Sequence, residues 1–323
     1  MSPSNNTPLT IWCNANLPRD AFALLAEGVK GHRLLEPGGG RAAGQLAEAD
    51  IAFGQPDATE ILTLPRLLWI QVTSAGYTAF DRDDVRAALR ARQGALTKSS
   101  MVFDEPCAQH ALSFMLAHAR QLPAALANAS EPRAWPTPVL RAKSALLGGQ
   151  TAVMVGFGSI GQRLVELLAP LRMNLFGLRR TVTGHEPVPT FAVDGADAAR
   201  VLAHADHVIN LLPANRQTDR WFNAQRFAAL KPGSVFYNIG RGTTVDQEAL
   251  MVALAGGHLA AAYLDVTDPE PLPPEHPLWE ARYCFITPHT AGGHATESVR
   301  LVQHFLENLA RFTSGRSLLD RVV

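Results

Sequence analysis

The 323-residue sequence has no excess of either charge, because 29 lysines and arginines balance 29 aspartates and glutamates. Without a net positive field, nucleic acid and anionic membrane surfaces are not expected as partners. Only three cysteines occur, at Cys13, Cys107 and Cys284, and their wide spacing favours neither a disulfide framework nor a metal site. The chain also lacks both a run of about 18 apolar residues and the apolar segment of a secretory signal. We therefore expect a cytoplasmic protein that does not cross a membrane.

Apolar runs of strand length alternate with helical patterns along most of the chain, and this order is typical of parallel α/β folds. The length predicts roughly two domains. Strands are predicted at 9–13, 50–53 and 68–72, and then at 152–155, 173–176, 207–211, 234–238, 261–264 and 284–286. The last six predict a doubly wound sheet. Amphipathic patterns predict one helix from Cys107 to Arg120, where we place a domain junction before a polar, proline-rich stretch, and a final helix from about Thr296 to Phe312.

A glycine-rich loop, Gly156-Phe-Gly158-Ser-Ile-Gly161, follows the predicted strand 152–155 and precedes a helical pattern. In such loops the first glycine allows a tight turn, the second lets the backbone approach a pyrophosphate, and the third allows the helix to pack closely on the strand. The order of strand, loop and helix predicts a dinucleotide site that uses the backbone of this loop, including Ser159 and Ile160. The alternative is a glycine-rich turn that packs against its neighbours and binds no ligand.

Two arginines stand where a ribose-binding acid is expected, about 20 residues after the loop. Arg179 lies 18 residues past Gly161, Arg180 follows it, and we find no Asp or Glu for this edge in the sequence. Guanidinium groups suit a 2′-phosphate, so the pattern favours NADP over NAD, although NAD stays possible. The alternative is a pair of solvated arginines at the end of a strand.

Three later segments carry chemical groups at predicted strand ends. Arg241 follows the strand 234–238, Glu270 follows 261–264, and His289 follows 284–286. Because ligands of such sheets bind outside the carboxyl ends of the strands, these three side chains are expected in one crevice. Structural ion pairs and ordinary histidines are the alternative reading.

Together these motifs resemble the D-isomer-specific 2-hydroxyacid dehydrogenase family, in order and spacing, over nearly the whole chain. The matching segments are Ser74–Tyr77, Gln109–Leu112, Leu116–Arg120, the glycine loop, Asn210–Pro213, Asn238–Gly242, Leu264–Val266 with Glu270–Pro271, and Thr287–His289 with Gly292. Gln109 departs from the family, which usually carries Glu there. The compact length favours the branch of glyoxylate/hydroxypyruvate reductases.

The resemblance implies a flavodoxin-like substrate-binding domain, 1–104 with 292–323, and an inserted Rossmann domain, 105–291, that binds NAD(P). It implies that His289 is the acid–base catalyst, Glu270 its partner and Arg241 a substrate-binding catalytic residue. It places the backbone N–H groups of Ala75 and Gly76 on the substrate carboxylate. The remaining implied cofactor contacts come from Pro213 and Asp265, with Asp265 on the nicotinamide amide. Relatives are commonly homodimers, and Trp135 is a candidate for that contact.

The chemistry of these residues supports the same roles. A carboxylate beside an imidazole favours the protonated form of the imidazole. The imidazolium can then donate a proton to the alkoxide that develops when a 2-oxo acid is reduced. An arginine can hold the substrate carboxylate and polarise the carbonyl. We expect reduction of a small 2-oxo acid to the D-2-hydroxy acid. The alternatives are a dehydrogenase for bulkier 2-hydroxy acids and a nucleotide-sensing, corepressor-like binding protein on the same fold.

Overall fold

The computed structural model describes residues 7–35, 45–130 and 133–323. The chain divides into two compact units, Met1–Phe103 with Gly293–Val323, and Asp104–Gly292. Each unit is built on its own parallel sheet. The predicted α/β class with two parallel sheets is confirmed.

The strands and helices of the described residues are numbered in chain order. The strands are β1 (Thr10–Cys13), β2 (Arg33–Leu35), β3 (Ile51–Phe53), β4 (Trp69–Gln71), β5 (Ala95–Thr97), β6 (Thr151–Val155), β7 (Asn174–Arg179), β8 (Thr190–Ala192), β9 (His207–Asn210), β10 (Ser234–Asn238), β11 (Leu259–Leu264) and β12 (Cys284–Ile286). The α-helices are α1 (Arg19–Gly28), α2 (Asp83–Ala91), α3 (Ser100–Ala119), α4 (Leu122–Ser130), α5 (Thr137–Lys143), α6 (Ser159–Leu168), α7 (Ala196–Leu202), α8 (Ala224–Ala229), α9 (Gln247–Ala255) and α10 (Glu297–Thr313).

The first unit has the strand order β2-β1-β3-β4-β5 and includes the carboxyl-terminal helix α10. Phe305 of α10 is fully buried, with its ring centroid 4.4 Å from that of Phe53 and 5.2 Å from that of Trp69. Large buried aromatic side chains contribute a major share of core stability. This packing is the physical reason why the last segment of the chain belongs to the unit formed by the first.

The second unit has the strand order β12-β11-β10-β9-β6-β7-β8, so its sheet has one more strand than predicted. The unpredicted strand, β8, contains only three residues and none of them is fully buried, so it lacks an apolar run. In the first unit β2 and β5 were also unpredicted, and they too have only three residues.

The helices predicted at the domain junction and at the carboxyl terminus are present with shifted bounds. The junction helix α3 begins at Ser100, seven residues before the predicted start at Cys107, and it continues from the first unit into the second. The polar stretch that follows α3 contains two helices, α4 and α5, neither of which has a buried side chain among its described residues. In the described part of the chain, no helix combines the length and apolar character needed to span a bilayer.

Candidate active site

The glycine loop lies between β6 and α6 in the second unit. Gly156 has a φ of +95°, and a Cβ added there would lie 2.6 Å from the carbonyl carbon of Leu211. Only glycine tolerates both this backbone conformation and this close approach. The loop is therefore held against the segment that follows β9, next to Pro213.

The loop fits the phosphate groups of a dinucleotide. Gly158 caps the amino terminus of α6, and a Cβ added to it would meet no atom closer than the carbonyl oxygen of Gly156 at 3.9 Å. This leaves room for a ligand above the backbone. The N–H groups in the first turn of α6, at Ser159, Ile160 and Gly161, have no carbonyl partner earlier in the helix. They lie at the positive end of the helix dipole, which favours the binding of a negatively charged phosphate.

Arg179 ends β7 as predicted, but the expectation that no acidic residue lies at this edge is wrong. The Nη1 atom of Arg179 lies 3.1 Å from Oε1 of Glu186, whose side chain is only 4% exposed. Hydrogen bonds from the backbone and hydroxyl of Thr183 and from the backbone of Gly184 lower the pKa of Glu186 to about 2, so the carboxylate stays ionised. Arg180 is exposed and, among the described residues, forms no ion pair.

A buried carboxylate, Asp265, follows β11 and organises the loop after β12. Its Oδ1 accepts hydrogen bonds from the Thr287 hydroxyl at 2.6 Å and the Thr290 N–H at 2.8 Å, and its Oδ2 accepts one from the Ala291 N–H at 2.9 Å. The backbone carbonyl of Asp265 also accepts a hydrogen bond from the N–H of His289. Asp265 thus holds the residues on both sides of His289.

His289 has a φ of +52°, which is uncommon for a residue other than glycine. Its Nδ1 lies 2.9 Å from Oε2 of Glu270, and both side chains are partly exposed, by 50% and 38%. Because an ionised carboxylate only accepts, Nδ1 carries the proton in this bond, and Nε2 has no hydrogen-bond partner among the described residues. The structure therefore brings together the predicted His289–Glu270 pair.

Arg241 follows β10, and the residue after it approaches the loop that contains Glu270. A Cβ on the next residue, Gly242, would lie 1.8 Å from the carbonyl oxygen of Thr267, so these two backbones are in direct contact. The N–H of Thr267 in turn donates to Oε1 of Glu270 at 3.2 Å. The guanidinium of Arg241 donates through Nη1 to the carbonyl of Gly240 at 2.6 Å.

A buried polar network holds the backbone of Arg241. Its carbonyl accepts hydrogen bonds from the Thr244 hydroxyl at 2.6 Å and from the Asn238 amide at 3.2 Å. The amide of Asn210 donates to both of these residues, to Oδ1 of Asn238 and Oγ1 of Thr244. Asn210 also accepts from the N–H of Leu212, so the same network fixes the segment that contacts the glycine loop.

His110 of helix α3 is a further member of the Asp265 cluster that was not predicted from the sequence. Its Nε2 lies 3.2 Å from the Thr287 hydroxyl and 3.7 Å from Oδ1 of Asp265. Burial lowers the pKa of His110, while Asp265 opposes the shift. No sequence signal reveals this contact, since 177 residues separate the two hydrogen-bond partners.

The three cysteines take no part in the Asp265 and His289 contacts described above. Cys13 and Cys107 are buried, and all three thiols are free. Burial raises the pKa of Cys107 and of Cys284 to about 12, so both thiols are protonated near neutral pH.

Ala75 and Gly76 belong to the first unit, where they follow β4.

A glycine loop at a helix amino terminus and an imidazole–carboxylate pair at strand ends define the class of dinucleotide-dependent oxidoreductases. The sequence model for the NAD binding domain of D-isomer specific 2-hydroxyacid dehydrogenases matches residues 112–291. The chain belongs to this family.

Relatives with described activities support the same family. Glyoxylate/hydroxypyruvate reductase B of Shigella boydii is 32% identical over 268 residues, which cover 79% of this chain and 78% of that protein. The D-isomer specific 2-hydroxyacid dehydrogenase of Xanthobacter autotrophicus, solved with NADPH and MES, is 26% identical with a TM-score of 0.82 over 98% of each chain. The NADPH-dependent glyoxylate/hydroxypyruvate reductase of Sinorhizobium meliloti, solved with NADP and sulfate, is 25% identical with a TM-score of 0.78, over 97% of this chain and 98% of that one.

The Asp265 network generates a prediction about stability. Asp265→Asn places an N–H₂ group against backbone or hydroxyl donors, so we expect the free energy of unfolding to fall by about 1–3 kcal/mol. Urea denaturation measures this change. The matched control is Asp268→Asn, at an exposed position three residues away, which we expect to alter stability by less than about 0.5 kcal/mol. Equal stability of the two variants would contradict the role of Asp265.

Proposed function

We propose that the protein reduces small 2-oxo acids of the glyoxylate or hydroxypyruvate type to D-2-hydroxy acids, with NADPH as the preferred reductant. The observation that carries this proposal is the 2.9 Å contact between Nδ1 of His289 and Oε2 of Glu270, in the same unit as the glycine loop. The glyoxylate/hydroxypyruvate reductases among the relatives support the substrate class.

The pair supplies the proton that the reaction needs. Reduction converts the C2 carbonyl into an alkoxide, and the imidazolium of His289 donates a proton to that oxygen from Nε2 while Glu270 stabilises the positive ring. In the reverse direction the neutral imidazole accepts the hydroxyl proton. The bound nicotinamide supplies the hydride equivalent, and the protein's residues orient the substrate and move the proton.

Substrate binding is assigned to two groups of residues. The guanidinium of Arg241 polarises the C2 carbonyl and binds the C1 carboxylate of the substrate. Its five N–H donors and its fixed positive charge suit both of these groups. The backbone N–H groups of Ala75 and Gly76 bind the carboxylate as further donors. We also propose that Asp265 contacts the amide group of the nicotinamide.

For the cofactor, we assign the pyrophosphate to Gly156, Gly158 and the first turn of α6, with Pro213 alongside. The 2′-phosphate is assigned to Arg180 and to the part of Arg179 that Glu186 does not engage. The NADPH and NADP complexes of the two solved relatives favour this preference. A cytoplasmic location, where NADPH is available and thiols stay reduced, remains part of the proposal.

The central test combines a substrate panel with one variant. The purified protein should oxidise NADPH with glyoxylate and hydroxypyruvate faster than with bulkier 2-oxo acids. We expect His289→Ala to lower kcat by about 10²–10⁴ and to leave the NADPH dissociation constant within about twofold, because the imidazole acts on the proton transfer.

His276→Ala is the control for a histidine on a different loop, and its kcat should match that of the unmodified protein. Absence of turnover across the panel would contradict the proposed activity and would favour the alternative of a nucleotide-sensing binding protein. Unchanged kcat in His289→Ala would remove that residue from the mechanism.

Cofactor preference is tested at Arg180. Arg180→Met removes an exposed guanidinium, so kcat/KM for NADPH should fall about tenfold or more while kcat/KM for NADH stays nearly constant. Arg90→Met, which removes an exposed arginine of the other unit, should leave both values unchanged. An unaltered NADPH/NADH ratio in Arg180→Met would classify Arg180 as a solvated surface residue.

We also propose that the protein forms a homodimer through the surface of α4 and α5. Exposed apolar side chains cluster on this segment and the residues around it: Leu122, Leu126, Trp135, Val139 and Leu146, with Trp135 92% exposed. Apolar surface of this extent is typical of a protein interface. The two helices have no buried side chains within the chain itself, so a second copy provides the missing contact.

The dimer is tested by light scattering during size-exclusion chromatography. The unmodified protein should have twice the mass of one chain, and the double substitution Leu126→Asp with Trp135→Ala should shift it to the monomer. Val252→Asp, at an apolar side chain on α9 that is 72% exposed, is the matched control and should remain dimeric. A monomeric parent, or a double variant that stays dimeric, would contradict the proposal.

A further inference from the structure

Lys98 lies directly beside the loop formed by residues 74–77, at the same edge of the first sheet. Strands β4 and β5 are neighbours, with Gln71 opposite Thr97, so the residues after both strands emerge together. The N–H of Ser99 donates to the carbonyl of Ser74 at 3.0 Å, and the Ser99 hydroxyl donates to the carbonyl of Val72 at 2.7 Å. The residue after Lys98 is therefore joined to the 74–77 loop and to Val72, which lies just before that loop.

The Lys98 backbone is fixed while its side chain remains available. Its N–H donates to the carbonyl of Asp320, and its carbonyl lies 3.4 Å from Nε2 of His304. The ammonium lies 5.9 Å from the ring centroid of Tyr77, the last residue of the loop. This distance is within the range of a cation–π interaction between the ammonium and the Tyr77 ring.

The charge of Lys98 has no acidic partner within the described residues. No carboxylate there lies within 4.0 Å of its Nζ. The nearby Asp320 carboxylate accepts from the N–H of Met101 at 2.9 Å and lies 3.4 Å from His304. The other cation close to Tyr77 is Arg86, and it is paired with Asp81. Lys98 is thus the cation of this group that is left for a ligand.

The 74–77 loop presents unpaired donors beside this ammonium. In the ranges that the structure describes, the N–H groups of Ala75 and Gly76 donate to no protein acceptor. The Ser74 hydroxyl donates to the carbonyl of Gly76 at 2.5 Å, which keeps that acceptor inside the loop. Two free N–H groups and an unpaired ammonium on adjoining segments are donors of the kind that bind an anion.

We propose that Lys98 is a substrate-binding residue whose ammonium pairs with the C1 carboxylate of the 2-oxo acid, beside the N–H groups of Ala75 and Gly76. This inference rests on the proposed function, because that function defines the carboxylate. The ammonium attracts every 2-oxo acid equally in the ground state and the transition state, since the C1 carboxylate keeps its charge throughout the reaction. Lys98 therefore acts on KM, whereas His289 acts on kcat.

The test compares Lys98→Met, which keeps the length of the side chain, with Lys98→Arg, which keeps the charge. For Lys98→Met we expect KM for glyoxylate, hydroxypyruvate and pyruvate to rise about tenfold or more, with kcat and the NADPH KM within about twofold. The dissociation constant of oxamate from the NADPH-bound protein, measured by calorimetry, should rise by the same factor. Lys98→Arg should stay within about threefold of the parent. Lys30→Met is the matched control, because Lys30 is an exposed lysine of the same unit, and it should change none of these values.

A second readout depends on salt. The kcat/KM of the parent should fall as ionic strength rises, and this dependence should be weaker in Lys98→Met, because screening acts on the removed charge. Unchanged KM and unchanged oxamate affinity in Lys98→Met would overturn the inference. If the parent reduces no 2-oxo acid, the proposed function fails, and oxamate binding to the parent and to Lys98→Met still decides the role of Lys98.

Discussion

The buried carboxylate of Asp265 is the constraint on which the geometry of the candidate site depends. A carboxylate in the interior must have hydrogen-bond donors on its oxygens, because an unpaired buried charge costs several kcal/mol. Here the donors come from Thr287, Thr290 and Ala291, which lie on both sides of His289. Satisfying Asp265 therefore forces the loop after β12 into one conformation, and it maintains the left-handed backbone of His289. The contact between this imidazole and Glu270 follows from that conformation.

A second buried network connects the other half of the site to the glycine loop. The amide of Asn210 contacts Asn238 and Thr244, and both of these hold the carbonyl of Arg241. The residues just after Asn210 also contact Gly156 so closely that no side chain fits there. The loop assigned to the cofactor and the arginine assigned to the substrate are thus held by one rigid set of amides. Networks of this kind restrict side-chain and backbone positions because every buried donor and acceptor needs its partner.

Local patterns in the sequence predicted those parts of the molecule that depend on neighbouring residues. The apolar runs located the strands that precede Gly156, Arg241, Glu270 and His289. Because the last three residues follow the carboxyl ends of neighbouring strands, the sequence predicted that they belong to one site. Contacts between distant residues were not predictable in this way. Glu186 lies in a polar turn like many others, and only the folded chain shows that it pairs with Arg179. The strands β2, β5 and β8 were also not predicted.

The sequence by itself determined the α/β class and the position of the glycine loop, and it named candidates for the reacting groups, because each of these follows from the spacing of residue types along a few turns or strands. Only the tertiary structure decided which side chains hold those groups in place. The contacts of Asp265 with residues 287–291, of His110 with Thr287, and of Lys98 with Tyr77 join segments that the sequence separates, and their free energies depend on distances set by the packing of sheets and helices. Hydrogen bonds and ion pairs act over a few ångströms, so their partners are fixed only when the chain is folded.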